Sequence, residues 1–499
     1  MNIKQAKEEI KNTVRAYFLK DETGRYIIDI MRQRPILMMG PPGVGKTQIM
    51  EQIARELKIG LVSYTITHHT RQSAVGLPFI KEVEFDGKTY SITEYTMSEI
   101  IASVYKKMEE SGLKEGILFI DEINCVSETL APTMLQFLQN KTFGNQSIPK
   151  GWVIVTAGNP PEYNKSVKEF DMVTLDRVRR MDVEADIHVW REYAQKQHIN
   201  NAILSYLELR PNDFYKIISD IDGLNFVTAR GWEDLSNLIA TYEKLDIPVT
   251  EEIIKEFIQN DDVAYDVSAY FDLYKKYQDD YGISDILKGK VKPQIYARIY
   301  EAAFDERVSV VNLLLDGLKM RFQQNTKERY ITDQWYLFLK TYRKEIEKAV
   351  SPFSLYETLL NQQEQLFAGE KQGGFLSREE EKLKEDLIGR LKDASPEDEK
   401  TDKESFEQTK KVFDVQKSKL EKIEKEVGKS LEYAFDFMEA AFEKGQEMVI
   451  FVTELTINEQ AARFLTEYSC ERYFIYNQEL LIGTKKTQLM SELKRDNIK

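Results

Sequence analysis

The clearest chemical signal is a glycine-rich run, GPPGVGKT, at residues 40–47. It matches the pattern G-x-x-x-x-G-K-[ST] in full, and its glycines let successive backbone N–H groups turn toward a phosphate. Lys46 would place a positive charge on the terminal phosphates of a nucleotide, and the Thr47 hydroxyl could ligate Mg²⁺. The run therefore predicts a nucleotide site made by Gly40, Pro41, Pro42, Gly43, Val44, Gly45, Lys46, Thr47 and the following Gln48.

A pair of acids, Asp121 and Glu122, follows the apolar residues of GILFIDEI at 116–123. Open α/β sheets bind ligands at the carboxyl ends of their strands, where these acids would lie. Asp121 could hold Mg²⁺ directly or through water, and Glu122 could activate the attacking water as a general base. Two solvated acids at a strand end are the competing interpretation, but the complete phosphate loop earlier in the chain disfavours it. The two motifs together predict hydrolysis of ATP with Mg²⁺, since binding alone would not need Glu122.

Both motifs need a rigid sheet to position them, and the hydrophobic pattern predicts one. Short apolar runs alternate with helical spacing, which is typical of a parallel sheet with helices on both faces. A hairpin is predicted around Asp86-Gly87 within EVEFDGKTYSI. The predicted strands lie in RPILMMG (34–40), LVSYTI (61–66), GILFIDEI (116–123), WVIVTAGN (152–159) and RRMDVEAD (179–186).

The pattern becomes almost entirely helical from Trp190 onward. We expect an α/β domain over residues 1–188 that includes an N-terminal helix, a helical domain over 189–300, and a mostly α-helical C-terminal region over 301–499. The stretch of about 366–430 is rich in Glu, Lys, Gln and Asp. It is interpreted as a linker, a solvated helix or a short coiled coil.

Composition narrows the range of partners. The 83 acidic and 69 basic residues leave a net charge of -14, which disfavours nucleic acid and anionic membrane surfaces as general partners. No apolar run approaches the roughly 20 residues that a membrane span needs. Two distant cysteines and an N-terminus without a signal-peptide core predict a reducing, cytoplasmic location.

Five motifs in order carry a resemblance to a known family: GPPGVGKT, LFIDEIN, VTAGNPPEYN, LDRVRR and VTARGWEDL. This set resembles the MoxR-type branch of the AAA+ ATPases, which is also grouped with dynein-related AAA domains, over roughly residues 30–290. The resemblance implies a P-loop NTPase sheet in an AAA+ αβα core, a helical lid at 189–300, and a homo-oligomeric ring, usually a hexamer. The remaining residues exceed the family core, and their role as a docking arm, a ring brace or a partner-binding domain stays open.

The resemblance also implies roles for two polar residues near the phosphates. Asn159 matches the sensor 1 residue, which helps to orient the attacking water, and the alternative is a cap on the turn before Pro160. Arg230 matches sensor 2, which contacts the γ-phosphate within one subunit. The alternative for Arg230 is an ion pair with Glu233 or Asp234.

Arg177 matches the arginine finger, which reaches the ATP of the neighbouring subunit. Arg179 and Arg180 are near enough in sequence to compete for that role. A surface salt-bridge cluster with Asp171, Asp176 or Asp182 is the alternative for Arg177.

Family members are typically paired with von Willebrand factor A domain proteins and are thought to remodel, activate or load metal into a partner protein. This chain lacks the D-x-S-x-S pattern of that domain, so such a client would be a separate chain. The predicted hairpin falls where the clade carries an insertion that often faces the pore or the substrate. A nucleic-acid motor or loader is the alternative, and a nucleotide-gated scaffold is a third possibility that Glu122 and Arg177 disfavour.

Overall fold

The computed structural model describes most of the chain. The final asparagine of the VTAGNPPEYN motif and residues 481–499 of the predicted C-terminal region lie outside the described residues. The described ranges are 1–68, 70–143, 146–163, 167, 170–219, 224–348, 351–397 and 401–480.

The chain divides into two compact units. The first comprises residues 1–190, 214–234 and 369–377, and the second comprises 191–213, 235–368 and 378–499. The strands are β1 Ile36–Met39, β2 Gly60–Thr65, β3 Pro78–Phe85, β4 Lys88–Tyr95, β5 Gly116–Asp121, β6 Thr142–Phe143, β7 Gln146–Ser147, β8 Trp152–Gly158, β9 Arg179–Asp182, β10 Lys216–Ser219 and β11 Leu224–Val227.

Helices make up most of the remaining structure. Residues 471–480 are helical as well. The helices are α1 Ile3–Phe18, α2 Lys46–Leu57, α3 Arg71–Val75, α4 Glu99–Ser111, α5 Ala131–Asn140, α6 Met172–Leu175, α7 Ile187–Lys196, α8 Asn201–Leu209, α9 Ala229–Tyr242, α10 Glu251–Phe257, α11 Asp261–Tyr281, α12 Ile283–Ile286, α13 Pro293–Glu301, α14 Phe304–Glu345, α15 Pro352–Gly373, α16 Arg378–Asp393, α17 Asp402–Phe442, α18 Gln446–Ile457 and α19 Glu459–Glu467.

The first unit is built on a five-stranded parallel sheet with the order β2-β5-β8-β1-β9. Its central strands are buried on both faces, which is why their sequences are continuously apolar. Ile36 and Met38 face a core that includes α1 and α2, whereas Leu37 and Met39 face a core that includes α4 and α5. The predicted parallel α/β sheet is confirmed.

The hairpin predicted around Asp86-Gly87 is also confirmed. Strands β3 and β4 pair antiparallel through eight residues each. Asp86 and Gly87 both have positive φ, at 52° and 74°, which matches the twist of a two-residue hairpin turn. The hairpin therefore projects from the sheet-bearing unit as a separate two-stranded element.

The second unit is helical and is organised around two long helices. Helix α14 has 42 residues and α17 has 41, and they pack along each other. The stretch 366–430, whose structure the sequence left open, contains the end of α15, all of α16 and the first part of α17. Within the described part of the chain, no helix has both the length and the apolar character that crossing a bilayer requires.

One element differs from the sequence prediction. Residues after Trp190 were expected to be almost entirely helical, but β10 and β11 form a short antiparallel hairpin. Their segments, KIIS and LNFV, are only four residues long, too short for a periodicity to separate strand from helix. Each segment becomes a strand because it pairs with the other, and the sequence of one segment alone does not show that pairing.

Candidate nucleotide-binding site

The strand register brings the predicted site residues to one edge of the sheet. Met39, the last residue of β1, lies opposite Gly158, the last residue of β8. On the other side of β8, strand β5 ends at Asp121. The phosphate loop, the acid pair and Asn159 therefore all follow the carboxyl ends of adjacent parallel strands, where α/β sheets bind ligands.

The phosphate loop has the backbone shape that its glycines predict. Gly43 and Gly45 have φ of 74° and 92°, a conformation that residues with a Cβ rarely adopt. A Cβ on Gly43 would lie 2.9 Å from the Cβ of Thr228, and one on Gly40 would lie 2.7 Å from the carbonyl oxygen of Val183. Glycine is thus required for close approach as well as for backbone conformation.

Lys46 is the buried cation of the site, with 8% of its surface exposed. Its Nζ donates to the carbonyl oxygens of Gly40 and Pro41, at 2.7 and 2.8 Å, and to Oδ1 of Asn159 at 2.9 Å. Burial lowers the pKa of Lys46 to about 8. The negative charge of Asp121 opposes this lowering, and the positive charge of Arg230 adds to it. All three acceptors are neutral, so phosphate oxygens would be stronger partners for this ammonium group.

The two residues predicted to hold Mg²⁺ are in direct contact. Thr47 is the second residue of α2, and its Oγ1 donates to Oδ2 of Asp121 at 2.8 Å. Mg²⁺ prefers hard oxygen ligands and is usually held by one or two carboxylates together with substrate phosphates. A hydroxyl and a carboxylate beside a phosphate loop fit that requirement.

Glu122 lies in a strained turn directly after β5. Its φ and ψ are 56° and 35°, the left-handed region that non-glycine residues seldom occupy. Its backbone N–H donates to Oδ1 of Asp121 at 2.9 Å, and its Oε2 accepts from Thr67 Oγ1 at 3.0 Å. The turn therefore directs the carboxylates of Asp121 and Glu122 to different partners.

Asn159 links the loop after β8 to the phosphate loop. Its side chain accepts the Lys46 hydrogen bond, and its backbone carbonyl accepts from Nδ2 of Asn124 at 2.7 Å. The turn that follows is closed instead by the N–H of Tyr163 donating to the carbonyl of Pro160. The side-chain oxygen of Asn159 thus faces Lys46.

Residues 214–234 of the first unit border the phosphate loop. The hydroxyl of Tyr215 donates to the carbonyl of Pro42 at 2.7 Å, and Nε2 of Gln48 donates to Oε2 of Glu233 at 3.1 Å. Val44 packs in a small apolar cluster with residues of α1 and of the segment after β9. These contacts fix the outer side of the loop.

Arg230 lies in the first turn of α9 and is exposed. Its Cβ lies 3.5 Å from where a Cβ on Gly43 would be, and its charge acts on Lys46. Among the described residues, no carboxylate lies within 4 Å of its guanidinium. The ion pair with Glu233 or Asp234 that the sequence left open is therefore not formed.

The three arginines near β9 have different surroundings. Arg179 contacts Glu9 and donates to Thr13 Oγ1 at 2.6 Å, and Arg180 pairs with Asp182 at 2.8 Å. Arg177 is exposed, and no ion pair within 4 Å joins it to any residue in the described ranges, although its charge contributes to the lowered pKa of Asp171. Within the described residues, no hydrogen bond or ion pair joins Arg177 to the residues around Lys46.

Comparison with known protein families gives a match over the part of the chain that carries the parallel sheet. Residues 36–182 match the family model described as "ATPase family associated with various cellular activities (AAA)". Residues 36–182 form an AAA ATPase domain. The matched segment begins at the first residue of β1 and ends at the last residue of β9, so it contains the whole parallel sheet.

Other comparisons add little. The chain has no significant match among curated proteins. A crystal structure of NtrX from Brucella abortus in complex with ADP is similar over 38% of this chain and 39% of that chain, at 16% identity and a TM-score of 0.23. The chain thus spans well under half of that structure's length, and a likeness this slight carries no argument.

The site contains contacts that the motifs did not predict. Thr67, Asn124 and Tyr215 each make a hydrogen bond to a predicted site residue or its loop. Asn124 belongs to the quoted motif LFIDEIN, so its position beside the acids was a usable signal. Thr67 and Tyr215 had no such signal, because their contacts are with residues distant in sequence.

Proposed function

We propose that this chain binds ATP with Mg²⁺ at residues 40–48 and hydrolyses it to drive the remodelling of another protein. The observation that carries the proposal is the convergence of Lys46, Asn159, Thr47, Asp121 and Glu122 at one edge of the sheet. This cluster combines a cation for phosphate, hard oxygens for a metal and a carboxylate for water.

Each residue of the cluster has a distinct task in this proposal. Bound Mg²⁺ would neutralise charge on the phosphates, with Thr47 and Asp121 as its protein ligands. Lys46 would exchange its carbonyl partners for phosphate oxygens, because charge-assisted hydrogen bonds are stronger. Glu122 would accept a proton from the attacking water, while the Asn159 side chain would orient that water.

We further propose a homo-oligomeric ring, hexameric by analogy with MoxR-type ATPases, in which Arg177 acts on a neighbouring subunit. AAA proteins typically oligomerise. The surroundings of the three arginines support Arg177 over the others, because Arg179 and Arg180 are held by ion pairs within their own chain. An exposed arginine with no ion pair among the described residues is available to stabilise charge on the transferred phosphoryl group.

We propose that the client is a protein and, by analogy with MoxR-type ATPases, that it contains a von Willebrand factor A domain. The β3–β4 hairpin supports a protein client. Its register places Phe79, Phe85 and Tyr90 on one face, with 43%, 55% and 49% of their surfaces exposed. Exposed apolar side chains favour protein contacts, whereas nucleic acid is bound mainly by cationic surfaces.

The test is an ATPase assay of the wild type beside Lys46→Ala, Glu122→Gln and the control Glu110→Gln, whose side chain is exposed on α4. Lys46→Ala should lose ATP binding, and Glu122→Gln should bind ATP but turn it over at least about a hundredfold more slowly. The control should match the wild type. Equal turnover in all four proteins would refute the catalytic assignment, and stimulation by DNA instead of by protein would favour a nucleic-acid motor.

The role of Arg177 is tested by mixing two inactive variants. Arg177→Ala subunits mixed with Lys46→Ala subunits should regain part of the activity, because some interfaces then combine an intact phosphate loop with an intact finger. Arg180→Ala serves as the matched control and should remain active alone. Loss of activity in Arg180→Ala, with Arg177→Ala active, would move the role to Arg180.

A further inference from the structure

Asn124 is a buried polar residue with no task in the mechanism above. It lies in a short 3₁₀ helix, Ile123–Cys125, directly after the acid pair, and 4% of its surface is exposed. The N–H of Cys125 donates to the carbonyl of Glu122 at 2.8 Å, which closes this turn. The turn carries the Asn124 side chain away from the acids and toward the end of β8.

The orientation of the Asn124 amide is determined by its partner. Nδ2 lies 2.7 Å from the carbonyl oxygen of Asn159, and a carbonyl can only accept, so the amide nitrogen must face it. Oδ1 is then buried without a hydrogen-bond partner among the described residues.

Gly158 is shaped to receive this amide. A Cβ at Gly158 would lie 2.6 Å from Oδ1 of Asn124, a distance that real Cβ atoms do not reach. Only glycine at the end of β8 lets the side chain approach the strand so closely. The contact between the turn after β5 and the end of β8 is therefore made by two residues that fit each other.

The hydrogen bond acts on one peptide group next to Lys46. The carbonyl of Asn159 belongs to its peptide bond with Pro160, which has no N–H and cannot pair in the sheet. Asn124 therefore holds the plane of that peptide, while the side chain of the same Asn159 reaches Nζ of Lys46 at 2.9 Å. Without the hydrogen bond from Asn124, the Asn159 backbone could rotate and move its side chain away from Lys46.

We propose that Asn124 is a positioning residue that holds the backbone of Asn159, so that the Asn159 amide faces the phosphates and the attacking water. This inference rests on the proposed ATP hydrolysis. Asn124 touches no reacting atom, and its whole effect passes through Asn159.

The test is a double-mutant cycle on the full-length chain: Asn124→Ala, Asn159→Ala and the double variant. Asn325→Ala is the matched control, because Asn325 is 3% exposed, also has an unpaired amide atom and lies in the second unit. Turnover, ATP affinity, melting temperature and hydrogen exchange of residues 153–163 in nucleotide-free protein are measured for each. Asn124→Ser replaces the alanine variant if alanine melts below the assay temperature.

We expect Asn124→Ala to lower kcat by about ten- to a hundredfold, the effect of a small misplacement of a catalytic group, with ATP affinity retained. The double variant should be no slower than Asn159→Ala alone, because the two residues act as one unit. Exchange in residues 153–163 should accelerate in Asn124→Ala and stay unchanged in Asn325→Ala.

Four outcomes would overturn the inference. Additive effects in the double variant would mean that Asn124 does not act through Asn159. A lowered melting temperature with unchanged kcat would mean that it only packs. Wild-type protein that binds ATP without hydrolysing it would overturn the proposed function together with this inference, whereas active wild type with equally active Asn124→Ala would overturn the inference alone.

Discussion

The second unit contains a buried carboxylate, and its replacement should lower the stability of the helices that surround it. Glu328 of α14 is 5% exposed and accepts four hydrogen bonds. They come from Nη1 and Nη2 of Arg390 at 2.8 and 3.2 Å, from Nε2 of Gln416 at 2.8 Å and from Nζ of Lys419 at 2.8 Å. The group therefore ties α14 to α16 and α17.

The pKa of Glu328 sets the size of the expected effect. Burial alone would raise it, but the hydrogen bonds from Arg390, Gln416 and Lys419 outweigh burial and lower the pKa from 4.5 to about 2. That difference corresponds to about 3 kcal/mol of preference for the charged form in the folded protein. Glu328→Gln should therefore destabilise this part of the unit by about 3 kcal/mol at pH 7, since it also leaves Arg390 and Lys419 without the carboxylate that they share.

Hydrogen exchange of peptides from α14 and α17 is the suitable assay, because the two units need not unfold together. A loss of about 3 kcal/mol should speed exchange in these peptides by about a hundredfold. Glu421→Gln on α17 is the control, because Glu421 is exposed and its pair with Lys417 is 3.7 Å long. If both variants exchange at similar rates at pH 7, the reasoning about Glu328 is refuted.

The same contribution should depend on pH in a defined direction. A lowered carboxylate pKa stabilises the fold above the unfolded value of 4.5 and ceases to do so as pH falls toward about 2. The stability difference between wild type and Glu328→Gln should therefore be largest above pH 4.5 and shrink as the pH approaches 2. A difference that stays constant across this range would contradict an electrostatic origin.

Two further predictions concern the surroundings of the candidate nucleotide-binding site. Gly158→Ala should lower both turnover and melting temperature, because the new Cβ would meet Oδ1 of Asn124 at 2.6 Å. Gly389→Ala on α16 is the control: its Cβ would meet nothing within 4 Å, and the change should stabilise the helix by about 0.5–1 kcal/mol. Tyr215→Phe removes the 2.7 Å hydrogen bond to the Pro42 carbonyl and should weaken ATP binding by about fivefold with kcat unchanged. Titration with a fluorescent ATP analogue measures the affinity. An unchanged affinity would show that the phosphate loop does not need this hydrogen bond.

Much of the site could be predicted from the sequence because its parts are contiguous. The phosphate loop is shaped by its own glycines, and the acids follow directly from the strand that carries them. The parallel sheet could likewise be predicted, since buried strands read as unbroken apolar runs. The short β10–β11 hairpin was missed, because four-residue strands carry too little periodicity.

The contacts among these parts were decided only by the tertiary structure. The sequence favoured Arg177 as the finger with Arg179 and Arg180 as competitors, and only the fold shows that Arg179 and Arg180 form ion pairs within their own chain. Likewise, Thr67 reaches Glu122, and Asn124 reaches Asn159, only because parallel strands far apart in sequence end side by side. Local chemistry is written in short motifs, whereas the orientation of each side chain depends on neighbours that the chain brings together only when it folds.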